Sequence, residues 1–379
     1  MNTETTTVVI VGAGVAGLAV ANFLLRNDLH CIVLEKHSRE YVEGRQRAGA
    51  LDGDAVVVLR RWGLAEAVQG HVAQMAETDG MPLRLDGQIR HWKTYVDDGG
   101  GEDGIFCPQQ VLVQNLIRIF LRDGGDLRFG IDSISIANLD RERATVGYRD
   151  AAGETALSCA VVAGCDGDHG VSRTAIPADV LTTYSIEHGY AWLALLAEVA
   201  PETPGVMAIH ERGFAAQITR GEHTSRYYLQ VPLTDTLDDW PDERIWNELA
   251  ARFGDPAPAR GPITDRQLVP LRSVVHSPMA HGRLYLSGDA AHLISPMSAK
   301  GMSLALHDAD LLARAVLRYA DQDDTSLLDA YSETGLRRIW AAQKFGVEVT
   351  ELMHNAGDAS YAGEFRKQLA RAELAAMID

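Results

Sequence analysis

Thr6–Val11 is an unbroken run of apolar and β-branched residues, the pattern of a strand buried on both faces. Val15–Asn27 then reads as a helix and His30–Glu35 as a second strand, so the chain opens on a βαβ unit with short connections. A further helix is predicted over Ala48–Trp62, stopped by Gly63. Gly99-Gly100-Gly101, inside an acidic stretch, predicts a loop, and Pro108–Asp123 carries the spacing of an amphipathic helix. Apolar and polar residues alternate from Leu127 to Asp150, which predicts antiparallel β-structure. Ala160–Ala163 predicts a third buried strand, ending at Gly164-Cys165-Asp166-Gly167.

From about Tyr184 to Leu233 the pattern changes to longer, aromatic-rich strands: Tyr190–Val199, Phe214–Thr219 and Ser225–Pro232. Asp242–Phe253 predicts a helix, and Arg283–Leu286 a returning strand that ends at Gly288-Asp289. A helix starts near Gly301, and the remainder is helical and rich in Ala and Leu. The fold class expected is α/β (α+β): a Rossmann-like domain, an interleaved mixed β-sheet domain and a helical C-terminal part. The predicted divisions are 1–72 with 100–180, 73–99 with 181–275, 276–320, and 321–379.

Length and charge narrow the function classes. The 379 residues exceed one ordinary domain, and 46% hydrophobic with 23% charged residues suits a buried core of good size. A net charge of -17 argues against nucleic acid as a partner. No apolar run approaches the roughly 18 residues of a membrane span, and polar Met1–Thr7 does not resemble a secretion signal. The four cysteines, Cys31, Cys107, Cys159 and Cys165, are scattered, with no C-x-x-C or Cys/His cluster. No metal site is expected; buried, reduced thiols of a cytoplasmic protein are.

Three turns carry the candidate chemistry. Gly12-x-Gly14-x-x-Gly17 lies between the first strand and its helix. There Gly12 permits a tight turn, Gly14 lets backbone approach a pyrophosphate, and Gly17 lets helix and strand pack closely. The helix N-terminus presents its unpaired N–H groups and positive dipole end to phosphate. Glu35, at the end of the second strand, is placed to accept ribose hydroxyls. The other two turns are Gly164-Cys165-Asp166-Gly167, followed by His169 and Arg173, and Gly288-Asp289-Ala290-Ala291-His292.

In this order the three motifs resemble those of the single-component FAD-dependent aromatic hydroxylases. So do Gly44-Arg45-Gln46-Arg47-Ala48-Gly49, Ser225-Arg226-Tyr227-Tyr228-Leu229-Gln230-Val231-Pro232-Leu233 and His281-Gly282-Arg283-Leu284-Tyr285-Leu286. The resemblance covers nearly the whole chain. It implies that Gly12, Gly14, Gly17 and Glu35 bind the ADP half of FAD, and that Asp166 and Gly167 serve both FAD and the nicotinamide cofactor. It puts Arg47 on the pyrophosphate, Arg45 at the flavin's mobile edge, Gln109 on the ribityl or ribose side, and Asp289 near the ribityl chain. Lys300-Gly301-Met302-Ser303 opens a helix whose N-terminus would stabilise negative charge on the reduced flavin. For NADPH (or NADH) it implies Lys36, Tyr41, His169 and Arg272, with His37 and Arg173 nearby and Glu40 opposing by repulsion.

On the substrate side the resemblance implies that Arg220 pairs with a carboxylate, that Tyr228 supports the same group, and that the Pro296 carbonyl, next to Met297, faces the substrate ring. Two positions depart from the family pattern. Aligned through Arg212-Gly213-Phe214, Met207 stands where a tyrosine would meet the substrate's 4-hydroxyl, and Ile218 replaces a serine at the carboxylate. No histidine occurs over Met75–Thr78, where the proton relay of the family would have one, and its second tyrosine would lie past Asp379.

The implied activity is hydroxylation of a small aromatic carboxylate with NAD(P)H and O2 through a flavin C4a-hydroperoxide. Without the relay, an amino- or amino-hydroxybenzoate such as 3-amino-4-hydroxybenzoate is expected. Hydroxylation of 4-hydroxybenzoate itself, N-hydroxylation or epoxidation on the same scaffold, and a flavin-binding protein without catalysis are the other readings. A homodimer is compatible with all of them.

Overall fold

The strand Thr3–Val11 is the axis of the first sheet, and its Val8, Val9 and Ile10 are fully buried. Around it the path runs Ala280–His281, Leu284–Leu286, Gly153–Gly164, Thr3–Val11, Cys31–Leu34, Asp126–Arg128. All neighbours are parallel except the outermost pair, Ala280–His281 with Leu284–Leu286. A hairpin, Ser133–Ala137 with Ala144–Asp150, joins antiparallel on Gly153–Gly164. This computed structural model describes residues 3–45, 49–69, 73–74, 81–85, 88–92, 104–203, 205–354 and 361–377. Contacts divide the chain into two units, the first made of Met1–Val72, Phe106–Ser185 and Val274–Lys344, the second of Ala73–Ile105, Ile186–Ser273 and Phe345–Asp379.

In the first unit the helix Val15–Leu25 is buried at every position from Val15 to Leu24. It packs on the helices Gln109–Arg122 and Gly301–Gln322, which explains why it lacks a polar face. Its Asn22 amide donates to Leu116 O of a neighbouring helix at 3.1 Å, so the one polar side chain there is satisfied.

The second unit holds a mixed sheet whose path is Ile263–Ser277, Thr182–Ala197, Thr224–Pro232, Gly213–Gly221, Gly205–His210, Met81–Leu85, Gln88–Trp92. Alternation along these strands sorts side chains onto two faces. One face, with Leu193, Leu195, Ala215, Tyr227 and Leu229, packs on Ile245, Trp246, Leu249 and Phe253 of the helix Asp242–Phe253. Each such large apolar side chain contributes about 1.5–3 kcal/mol by leaving water. The other face carries the candidate substrate residues Met207, Ile218 and Tyr228.

Several elements differ from the sequence-based expectation. The helix expected from Ala48 spans Gly53–Arg61, because Asp52 caps it by accepting from Ala55 N at 2.9 Å. Asp126–Arg128 is a parallel edge strand and not part of the antiparallel hairpin. The third strand is Gly153–Gly164, far longer than Ala160–Ala163, because its polar first half also finds partners on both sides. Gly205–His210 and Ile263–Ser277 are strands absent from the sequence-based expectation. Among the described residues no helix is long and apolar enough to cross a membrane, and no group of His, Cys, Asp or Glu could hold a metal ion.

Candidate functional site

In the first unit the Gly12–Gly17 turn is dictated by contact with backbone. Gly12 has φ +103°, and a Cβ there would lie 2.4 Å from Cys165 O. A Cβ on Gly17 would lie 2.0 Å from Gly12 O. Gly14 differs: a Cβ would meet nothing within 4 Å, and the residue caps the helix Val15–Leu25 without a side-chain hydrogen bond. The turn therefore presents free space beside helix N–H groups that lack a side-chain cap, the feature a diphosphate requires.

Glu35 is buried, and its carboxylate braces this turn. One oxygen accepts Ala13 N–H at 2.8 Å and the other accepts His37 N–H at 2.9 Å. Each oxygen keeps a second lone pair. Arg45 follows the short helix Arg39–Gly44, exposed, with its guanidinium 5.9 Å from the Tyr41 ring, and Tyr41 packs on His37 at 4.1 Å. Lys36 is exposed, Gln109 is half-buried at the start of its helix, and Arg47 lies outside the described residues.

The other two turns of this unit are tied together by a residue whose structural part the sequence did not reveal. Arg173 Nη1 donates to Gly167 O at 3.1 Å and to Ala290 O at 3.0 Å. Asp166 points inward: one oxygen accepts Ser172 N–H at 2.8 Å, the other is buried without a partner, and burial raises its pKa above the ordinary carboxylate value. His169 is exposed, 3.7 Å from the Asp168 carboxylate.

Gly288 has φ +63°, with Ala16 and Ala305 closing over it. Asp308, on the helix Gly301–Gln322, accepts from Gly288 N at 2.9 Å and from His292 Nε2 at 2.7 Å. Both charged partners are 2% exposed. This buried pair holds the turn that carries half-buried Asp289. At the start of the same helix, Lys300 Nζ pairs with Asp52 at 3.1 Å, and Ser303 Oγ accepts Asp52 N–H at 3.1 Å. Gly301 and Met302 form its first turn. Pro296 O accepts Ala299 N–H at 3.1 Å in the tight turn Pro296–Ser298, beside buried Met297.

In the second unit the strand register brings distant residues into rows across the polar-capable face. Met207, Ala216, Tyr228 and Ala194 stand in one row, and Ile218, Arg226 and Leu196 in the next. Arg220 donates to Thr219 O at 3.0 Å, and the Tyr228 hydroxyl is near enough to act on its charge. Its pKa is lowered, by burial first and then by the Arg226 charge, with Tyr228 acting against both. Arg226 is 2% exposed, sits 5.8 Å from the Tyr228 ring centroid, pairs through Nη1 with the Asp265 carboxylate at 3.7 Å, and has Nε without a hydrogen-bond partner. Two crowded guanidinium groups, one with an unused donor, form a site chemically suited to a carboxylate. Met207 is 2% exposed, and Ile218 is half-buried. Arg272 is half-buried on the strand Ile263–Ser277. On this face Trp192 packs on Tyr228, and Phe214 and His354 pack behind Trp192; the sequence reading did not single out Trp192 or His354. The segment Met75–Thr78 lies outside the described residues.

The family model described as "FAD binding domain" matches residues 5–346. Over 388 residues the chain is 33% identical to p-hydroxybenzoate hydroxylase of Acinetobacter baylyi, covering 100% of this chain and 93% of that protein. It is 26% identical to a 3-amino-4-hydroxybenzoate 2-monooxygenase of Streptomyces platensis, covering 89% of this chain and 86% of that one. Among solved structures, p-nitrophenol 4-monooxygenase from Pseudomonas putida superposes with a TM-score of 0.80 at 20% identity, over 98% of this chain and 94% of that one. The chain belongs to the FAD-binding family of flavoprotein aromatic monooxygenases.

Proposed function

We propose that this protein hydroxylates a small aromatic carboxylic acid, an amino- or amino-hydroxybenzoate such as 3-amino-4-hydroxybenzoate, with NAD(P)H and O2. The observation that carries the substrate half of the reading is the row Met207–Ala216–Tyr228 beside Arg220 and Arg226. The guanidinium groups bind and orient the carboxylate, with Tyr228 as a further donor. Met207 offers only a thioether toward the ring, which neither takes nor gives a proton. An amino group on the ring donates electron density while neutral, so it needs no base at that position. FAD, when bound, would supply the redox chemistry together with NAD(P)H and O2; the protein supplies position and a dry site.

For the cofactor we assign the Gly12–Gly17 turn and the helix N-terminus after it to the pyrophosphate, and Glu35 to the ribose. Arg45, Arg47, Gln109, Asp166, Gly167, Asp289 and the Lys300–Ser303 turn are assigned to the remainder of FAD. Asp166 and Glu35 act largely by holding backbone in place, given the N–H groups they accept. Lys36, Tyr41, His169 and Arg272 are assigned to NAD(P)H, and the enzyme to the cytoplasm.

Two glycines separate folding from binding. Gly14→Ala should leave the melting temperature almost unchanged, because its Cβ enters open space, and should weaken FAD binding by obstructing the diphosphate. Gly12→Ala should lower the melting temperature itself, because φ +103° and the Cys165 carbonyl both oppose a side chain. Equal loss of stability in both variants would refute the assignment of Gly14 to close approach.

The substrate reading is tested by comparing hydroxylation of 4-hydroxybenzoate with that of 3-amino-4-hydroxybenzoate and simple aminobenzoates, with products identified by mass. Coupled turnover is expected for an aminobenzoate, and weak or uncoupled turnover for 4-hydroxybenzoate. Tight turnover of 4-hydroxybenzoate with none of any aminobenzoate would overturn it.

A further inference from the structure

His354 follows the helix Tyr331–Met353 and is buried among aromatic rings on the same sheet face as Tyr228. Both of its ring nitrogens are committed. Nδ1 lies 2.8 Å from Thr350 O, which can only accept, so Nδ1 carries the proton. Nε2 lies 2.7 Å from Trp192 Nε1, which can only donate, so Nε2 presents its lone pair. Protonation would set one N–H against another inside an apolar cluster. Burial, with His188 and Arg252 adding like charge, pushes the imidazole down to about 3 while the Thr350 carbonyl opposes. The ring is thus a neutral acceptor of one tautomer, and it has no free nitrogen with which to serve as a base.

What the imidazole does hold is the indole. The Trp192 ring centroid lies 4.6 Å from that of Tyr228, tilted by 46°, and 5.6 Å from that of Phe214. His354 itself stacks on Tyr190 at 4.8 Å and on Phe214 at 4.6 Å. An indole packed only by ring faces can slide in its plane, whereas an in-plane N–H bond to a fixed acceptor sets that remaining freedom. We propose that His354 is a positioning residue that holds the Trp192 indole against Tyr228 and so keeps the Tyr228 hydroxyl directed to Arg220. The proposal rests on the assignment of Arg220 and Tyr228 to a substrate carboxylate.

The test is a double-mutant cycle on the FAD-loaded enzyme, read as the dissociation constant of 3-amino-4-hydroxybenzoate and of benzoate. His354→Leu should weaken binding about tenfold in the wild-type background and by less than about twofold in Tyr228→Phe, since coupled residues do not add. Trp192→Phe, which keeps the ring stack and deletes the donor, should reproduce the His354→Leu loss. His354→Gln, whose side-chain oxygen can accept the indole N–H, should recover most of it. If Tyr228→Phe alone leaves binding unchanged, the carboxylate assignment fails. If Tyr228→Phe weakens binding while the His354→Leu cost remains additive, the positioning role is overturned; so too if His354→Gln shows no recovery. Should His354→Leu not fold, the Trp192→Phe and Tyr228→Phe cycle decides the matter by the same criterion.

Discussion

Asp308→Ala should cost about 3–5 kcal/mol of folding stability, the loss expected when one partner of a buried ion pair is removed. Asp308 and His292 are each 2% exposed, so neither stranded group can turn to water. The same carboxylate oxygen also accepts Gly288 N–H, so the variant releases the turn that carries Asp289 as well. Denaturant unfolding measures the first effect, and FAD retention through gel filtration measures the second. A loss under about 1 kcal/mol would mean that the site repacks or admits water.

The pair also makes stability depend on pH. The His292 pKa is raised: burial favours the neutral ring, but the Asp308 carboxylate, through its charge and its hydrogen bond, outweighs burial, and Asp289 adds to it. A raised value in the folded state means that charged His292 stabilises the fold in full below its ordinary value of 6.5. That contribution is lost as pH rises through the folded value. Wild-type stability should therefore decline above pH 6.5 by a component that Asp308→Asn lacks. Parallel profiles for the two proteins would contradict the charged pair.

Arg220→Ala should weaken the binding of a benzoate-type ligand by about 2–5 kcal/mol, because it removes a charge-assisted contact in a largely dry site. FAD content should not change. Arg220→Lys should recover only part of the loss, since an ammonium cannot reproduce the planar fork of a guanidinium. Arg226 stays behind in either variant, shared with the Asp265 carboxylate at 3.7 Å but with its Nε unbonded, which limits the loss. Ligand titration of the FAD-loaded protein decides this. Unaltered affinity in Arg220→Ala would make Arg220 a structural charge and remove the basis for a carboxylate substrate.

Glycine requirements and local strand–helix alternation are properties of short segments, and these the sequence determined by itself. The turn Gly12–Gly17 could be read directly from its glycine spacing, although the backbone that Gly12 meets belongs to Cys165, far along the chain. The helix after this turn was legible from the sequence, whereas its burial at every position from Val15 to Leu24 comes from the helices packed on it. The -17 charge and the absence of an apolar span likewise needed no coordinates. Strand register did need them. Gly205–His210 is short and Ile263–Ser277 is polar over its first half, and both are fixed as strands where neighbours offer N–H and C=O groups to pair with. Only that pairing shows Met207 and Tyr228 to share a row, since a slip of one residue would turn every side chain to the opposite face. Trp192 and His354 are 162 residues apart, and Gly288 and Asp308 are 20 apart on different elements. Their hydrogen bonds have no sequence signal because burial, and not spacing, selects the partner. In each case a polar atom removed from water must find a partner, and tertiary packing alone decides which one is within reach.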